Sequence, residues 1–345
     1  MSDTVLLTGI TGFLGGHVAL ALLEAGYTVR GSLRNPGPNG ERAAALRRTL
    51  EAAGGDVSRL QTVELDLTRD AGWTEAAAGA RFVMHTASPF VTSMPRDPQE
   101  LIGPAVAGTE RALAAARSAG AERVALTSST VAITAGRGEG RPDRLGAEEW
   151  SRPEDGRLNA YGASKVMAER RAWEIAQAPG APALAVINPG FILGPLLDAD
   201  PGTSGAVLAR LLRGDLPMVP RLILHTVDVR DLARIHVAAL SDPQASGARH
   251  PAAFSRLSLV DLCRAMARAA PERARRIPKR EAPDWLVRAL ALFDGDIRAN
   301  VNELGYGPEL DAAAGRPEPH RKAIPHAHFD DFFGLRLGHG ARFAF

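Results

Sequence analysis

Short apolar runs alternate with helical stretches through the first half of the chain. Residues 5–8 form a buried-type run, and residues 13–25 follow with apolar positions spaced near 3.6, closing before Gly26 as a helix does before a C-cap glycine. The pattern predicts further strands over 27–33, 60–65, 81–86, 123–128 and 183–188, and helices over 41–53, 100–119 and 160–177. Short strands separated by long helices call for right-handed crossovers and a parallel, doubly wound sheet. Residues 130–157 break the rhythm with Gly, Arg, Pro and Glu, and irregular stretches of that length inside compact domains are often functional. Beyond residue 190 the signals are mixed: helices near 205–212, 231–240, 259–269 and 283–292, and a strand near 226–229. Residues 316–345, rich in Arg, His, Gly and Phe, carry no clean period and no structural expectation.

Composition narrows the classes. Hydrophobic residues make up 45% and charged residues 23%, enough apolar material for a large core. A formal charge of +2 is too small for a strongly nucleic-acid-directed protein, and the six cations between Arg268 and Arg280 lack interleaved aromatics, so they read as a solvated face. The single cysteine, Cys263, can make no internal disulfide and fits a reducing compartment. No apolar run of about 18 residues occurs. The opening Met1-Ser2-Asp3 has no cationic region, so neither a membrane span nor a signal peptide is expected and the location is cytoplasmic. His320, His326, His328 and His339 follow no known ligand spacing, and no metal is expected.

Thr8-Gly9-Ile10-Thr11-Gly12-Phe13-Leu14-Gly15 spaces its glycines three and three between a strand and an amphipathic helix. Glycines there permit a tight turn and close backbone approach to a pyrophosphate at the helix N-terminus, so Thr8, Gly9, Thr11, Gly12, Phe13, Leu14 and Gly15 are expected against a dinucleotide. At the end of the second strand, Val29-Arg30-Gly31-Ser32-Leu33-Arg34 offers no acid for a ribose 2′-hydroxyl. Arg34 stands where a 2′-phosphate would lie and points to NADP(H), although it also reads as a solvated surface arginine. Asp66, closing the third strand, either accepts from the adenine amino group, the favoured reading, or caps the next turn.

Tyr161 and Lys165 stand at i and i+4 at the start of a helix, in a chain with three tyrosines and lysines only at 165, 279 and 322. Hydride addition to a carbonyl builds negative charge on oxygen that a proton donor must meet, and a phenol titrating near 10 is poorly matched to neutral pH. A cation one turn away, together with an oxidised nicotinamide, is expected to lower the Tyr161 pKa. The hydroxyls of Ser128 and Ser129 end a strand at the carboxyl edge, where ligands of open α/β sheets gather.

These residues resemble the extended short-chain dehydrogenase/reductase family: Thr8-Gly9-x-x-Gly12-x-x-Gly15, Asp66-Leu67, Ser128-Ser129, Tyr161-x-x-x-Lys165, and Asn188-Pro189-Gly190 followed by Gly194-Pro195, over residues 4–240. The resemblance implies an α/β fold, a Rossmann doubly wound parallel sheet over residues 1–190 and a smaller mixed C-terminal substrate lobe over 191–345, with about 226–240 returning to the main domain. It implies Ser129, Tyr161 and Lys165 as the catalytic set, Lys165 also holding the nicotinamide ribose. Leu67, Thr86, Ala87, Ser88, Pro189 and Gly190 would then lie along the cofactor. Arg30-Gly31-Ser32-Leu33-Arg34, His85-Thr86-Ala87-Ser88-Pro89 and Val227-Asp228-Val229-Arg230-Asp231 are similar to the dihydroflavonol reductase-like branch of aldehyde and ketone reductases. Pro89, Phe90, Phe191, Leu222 and Leu224, with Ser129, would line an apolar substrate site.

The expected activity is NADPH-dependent reduction of an aldehyde or ketone, with a small hydrophobic carbonyl or alcohol as partner in a monomer or homodimer. Two rivals share the fold: an NAD-dependent sugar-nucleotide epimerase or dehydratase, and a nucleotide-sensing protein without catalysis. Leu224-His225-Thr226 stands where epimerases usually carry an Arg-Asp pair, and a sensor has no need of a proton donor.

Overall fold

A computed structural model of the 345-residue chain describes residues 3–37, 40–89, 94–137, 140–198 and 202–311. The strands among them are β1 (Thr4–Thr8), β2 (Thr28–Leu33), β3 (Leu60–Glu64), β4 (Phe82–His85), β5 (Arg123–Thr127), β6 (Arg144–Leu145), β7 (Ala183–Pro189), β8 (Phe191–Leu193), β9 (Ile223–Asp228), β10 (Ala248–Ala252), β11 (Ser255–Ser258) and β12 (Glu309–Leu310). The helices begin with α1 (Phe13–Glu24), α2 (Glu41–Ala52), α3 (Trp73–Ala77), α4 (Gln99–Ser118), α5 (Val131–Thr134) and α6 (Ala160–Ala176). They continue with α7 (Gly202–Arg213), α8 (Val229–Ser241), α9 (Leu259–Ala269), α10 (Asp284–Leu290) and α11 (Gly295–Arg298).

Seven strands form one parallel sheet in the order β3-β2-β1-β4-β5-β7-β10. This is the doubly wound order, reversing direction between β1 and β4, where such sheets open a crevice at their carboxyl edge. Its central strands are apolar without alternation because both faces are covered. On one face Val5, Leu7, Met84, Ala125 and Ile187 pack with residues of α1, α2 and α8. The intervening residues Leu6, Val83, Val124, Leu126 and Val186 pack on the other face with α3, α4 and α6. The period-2 direction of strand side chains divides each run between two helical layers.

The last strand of this sheet has no counterpart in the apolar pattern. Arg249-His250-Pro251 does not look like a strand, yet β10 pairs along β7 and its Arg249 and His250 are buried. Pro251 is tolerated because β10 is an edge strand with a ladder on one side only. Helix α3, five residues long, is likewise too short to show a period. The 130–157 segment, expected as irregular, carries α5 and the short strand β6, which pairs with β12.

A second, mixed sheet of order β11-β9-β8 carries its own apolar core, including Leu193, Leu211, Leu262, Cys263, Met266 and Ile277. After β9 the chain returns to the main sheet as α8, whose Leu232, Ile235 and Leu240 join the first layer. Gly190 sits where the two sheets meet: its N–H donates to Ala252 O at 3.1 Å, and a Cβ there would fall 2.2 Å from the His225 carbonyl oxygen. A Gly190→Ala change must therefore push β9 away and is expected to destabilise the fold by about 1–3 kcal/mol. Urea unfolding checks this, and an unshifted midpoint would show that the junction has slack.

Candidate active site

The carboxyl ends of β1, β2, β4, β5 and β7 converge on one edge, and the chain after each contributes to one site. After β1, Gly9 takes φ +74° and its carbonyl accepts from Gly12 N at 3.0 Å. A Cβ on Gly15 would fall 2.0 Å from that carbonyl oxygen, and one on Gly9 would fall 2.9 Å from Ala87 Cα, so packing alone demands both glycines. Gly12 is different. A Cβ there would meet a single heavy atom within 4 Å, the Gly9 oxygen at 3.5 Å. Gly12 N-caps α1 with no side chain in the cap, and the first turn has no acid. An open backbone face at the positive end of a helix fits a dinucleotide pyrophosphate.

Neighbouring hydroxyls hold this turn. Thr8, 1% exposed, places Oγ1 at 2.8 Å from His85 Nδ1 and accepts from Ala87 N at 3.2 Å, while Thr86 Oγ1 donates to Thr8 O at 2.7 Å. Ser32 Oγ accepts from Gly9 N at 3.1 Å. Thr8, Thr86 and Ala87 therefore form the wall behind the glycine turn.

Arg34 is exposed immediately beyond β2, close enough to Asp66 for its charge to help lower the Asp66 pKa. The larger cause of that lowering is Thr68, whose N–H and Oγ1 donate to Asp66 Oδ1 at 2.8 and 2.7 Å. Of the two roles open to Asp66, capping the turn is the one its geometry displays. Leu67 packs on α4 opposite Gly108, where a Cβ would approach to 3.0 Å.

Asn159 starts α6 by accepting from Gly162 N at 2.8 Å, and its Nδ2 donates to Ala299 O at 3.1 Å. This fixes the first turn and the direction of Tyr161. The Ser129 hydroxyl lies close enough to the Tyr161 phenol to lower its pKa. Ser129 Oγ also accepts from Val131 N at 3.3 Å and stands 3.4 Å from Pro189 O, which accepts from Thr130 N at 2.8 Å. Ser128 points elsewhere, donating to Glu169 Oε2 at 2.5 Å. Lys165, 8% exposed, holds Nζ 5.8 Å from the Tyr161 ring centroid.

Burial dominates the electrostatics. Desolvation pushes Lys165 down to about 8, opposed by the Glu169 carboxylate, and pushes His85 down to about 3, aided by the Lys165 charge. His85 is therefore neutral at physiological pH. Tyr161 departs from expectation: burial raises its pKa, and the Ser129 hydroxyl only partly offsets this. The cation lies over the ring, but burial is the larger effect, so the protein alone does not supply the lowered pKa that the i,i+4 spacing suggested.

Ser88 and Pro89 are half-buried beyond β4, and Phe191, Leu222 and Leu224 are half-buried against the core of the mixed-sheet lobe. Phe90 and the histidines of the C-terminal tail lie outside the described residues. Among the described residues no grouping of His, Cys, Asp or Glu could hold a metal ion. No described helix is long and apolar enough to cross a membrane. Sequence reading did not single out Ser32, His85, Glu169 or Arg249. For Glu169 a signal existed, since 161, 165 and 169 share one helix face; for Arg249 there was none.

Comparison with known proteins shows the family and the fold. Residues 5–252 match the profile of the NAD dependent epimerase/dehydratase family. The chain is 34% identical over 247 residues to tetraketide alpha-pyrone reductase 2 of Arabidopsis thaliana, covering 70% of this chain and 75% of that one. It is 35% identical over 272 residues to cinnamoyl-CoA reductase 1 of Petunia hybrida, covering 78% of each. Yeast methylglyoxal/isovaleraldehyde reductase, solved with NADPH, superposes with a TM-score of 0.71 at 25% identity over 90% of each chain.

The buried lysine carries a stability signature. Its folded pKa, about 8, lies below the ordinary 10.5, so between these values the unfolded chain binds more protons and stability rises with pH. Below pH 8 the Lys165 charge is a burden on the fold, and the burden is relieved as pH climbs to 10.5. A Lys165→Met variant is expected to be more stable than the parent near pH 7 and to lose that advantage across this window. Urea unfolding at several pH values checks it; a constant difference would contradict the buried ammonium.

Proposed function

This chain belongs to the NAD dependent epimerase/dehydratase family, and from that membership we propose that it is an NADPH-dependent reductase converting an apolar aldehyde or ketone to the alcohol. The observation that carries the reading is the convergence of the Ser129 hydroxyl, the Tyr161 phenol and the Lys165 ammonium at the carboxyl edge of a doubly wound parallel sheet.

The chain's residues divide the work. Gly12 and the N-terminus of α1 receive the pyrophosphate, and Arg34 meets the 2′-phosphate with a guanidinium that no acid on β2 opposes. The Thr86–Ser88 segment and the Pro189-Gly190 turn flank the remainder of the cofactor, and Lys165 holds the nicotinamide ribose. When bound, NADPH supplies the hydride from its nicotinamide C4. Ser129 and Tyr161 hydrogen-bond the carbonyl oxygen, and Tyr161 gives its proton to that oxygen as the C–H bond forms, leaving an alcohol, NADP⁺ and a phenolate. The Lys165 ammonium stabilises this phenolate. A phenol held above its ordinary pKa in the free protein is protonated and ready to act as the acid.

The half-buried Pro89, Phe191, Leu222 and Leu224 form the apolar wall for the substrate. The reductase names of the relatives, acting on a tetraketide alpha-pyrone, cinnamoyl-CoA, and methylglyoxal or isovaleraldehyde, support carbonyl reduction over epimerisation. We assign residues 1–190 with α8 and β10 to cofactor binding, and the mixed-sheet lobe to the substrate. We also propose a monomer or homodimer, and a cytoplasmic location that the single cysteine, Cys263, supports.

A panel of aldehydes and ketones followed by NADPH absorbance identifies turnover, and Tyr161→Phe is expected to lower kcat about 10²–10⁴-fold with NADPH affinity retained. Near-normal turnover in this variant would remove the phenol from the mechanism. Arg34→Glu is expected to weaken NADPH binding about 10-fold or more while leaving NADH binding nearly unchanged; equal losses for both would place the 2′-phosphate elsewhere.

A further inference from the structure

Behind the catalytic residues lies an ion pair that the mechanism does not use. Glu169 is one turn beyond Lys165 on α6, and its side chain is fully buried. It accepts from Ser128 Oγ at 2.5 Å, Asn188 Nδ2 at 2.9 Å, Arg249 Nε at 2.5 Å, Arg249 Nη2 at 3.3 Å and Trp173 Nε1 at 3.4 Å. Arg249, from β10, is 7% exposed at its side chain. Its Nη1 donates to the carbonyls of Ala147 and Glu149 at 2.7 and 2.5 Å, and its guanidinium stacks 3.8 Å from the Trp150 ring centroid.

These contacts reach every segment that holds the catalytic set. Ser128 adjoins Ser129, Asn188 adjoins Pro189, and residues 147–150 belong to the irregular segment between α5 and α6. A buried ion pair adds little net stability over apolar residues of the same size, so stability alone is a poor reason for this one. We propose that Glu169, anchored by Arg249, is a positioning residue for the reaction: it aligns Ser129 and Tyr161 by tying β5, β7, β10 and α6 together, and it supplies the negative charge that keeps Lys165 an ammonium.

Titratable groups from two elements face Lys165. From its own helix these are Tyr161 and Glu169; from β4 it is His85, which burial keeps neutral. Glu169 is the carboxylate whose charge opposes the desolvation of the ammonium, so its loss must lower the Lys165 pKa further. An uncharged Lys165 no longer stabilises the phenolate left when Tyr161 gives up its proton. The inference rests on the reductase reading for its consequence in catalysis, but the link between Glu169 and Lys165 is testable without turnover.

With lysines only at 165, 279 and 322, Lys279→Arg and Lys322→Arg leave one lysine, whose ε-carbon can be followed by 13C NMR in the cofactor-free protein. The Lys165 midpoint is expected at about 8 in this background. With Glu169→Gln it is expected to fall by about one pH unit, while Glu169→Asp, which keeps the charge, restores most of it. In steady-state kinetics the high-pH limb of kcat/KM should move down with the NMR midpoint. A folded Glu169→Gln protein with an unmoved Lys165 midpoint overturns the proposal. Should that variant leave Arg249 uncompensated and unfold, the pair Glu169→Gln/Arg249→Met removes both charges, and the same two outcomes apply. Turnover that survives Tyr161→Phe would defeat the reductase reading while leaving the titration result standing.

Discussion

A lysine ammonium held almost out of water beside a phenol is the constraint around which this site is arranged. Desolvation acts against both groups, lowering Lys165 to about 8 and raising Tyr161, so the fold must supply compensation from neighbours. Ser129 supplies it to the phenol and Glu169 to the ammonium, while the neutral His85 adds no competing charge. Without these partners the lysine would shed its proton and the pair would lose its chemical purpose.

The architecture explains how such a set is brought together from distant parts of the chain. Right-handed crossovers bring the strand ends to one edge, so Gly12, Ala87, Ser129 and Pro189, each just past or at the end of a different strand, become neighbours without special packing. The two apolar layers hold that edge rigid. Gly190 then allows the mixed sheet to approach within van der Waals distance of the main one, so a separate lobe can face the cofactor side.

Legibility in the sequence followed the range of the interaction. The strand–glycine–helix turn and the Tyr161/Lys165 pair were readable because each lies within one local element, where spacing alone sets geometry. The long helices and central strands were readable because burial imposes a period. β10 was hidden because its buried residues are Arg249 and His250, whose burial depends on partners such as Glu169, 80 residues away in the chain. The raised Tyr161 pKa was also out of reach, since it depends on desolvation by residues from several elements and not on the distance to one cation. Asp66 shows the same limit on a smaller scale: its position marked a strand end, but only Thr68 revealed that its carboxylate caps the turn.

The central claim, that Ser129 and Tyr161 jointly meet a carbonyl oxygen beside a bound nicotinamide, is tested most directly by a crystal structure with NADP(H) and an unreactive carbonyl analogue. The account expects the analogue's oxygen within hydrogen-bond distance of both hydroxyls, with Lys165 Nζ on the nicotinamide ribose and the 2′-phosphate on Arg34. An oxygen bonded to neither hydroxyl, with the phenol facing away from the nicotinamide, would contradict it.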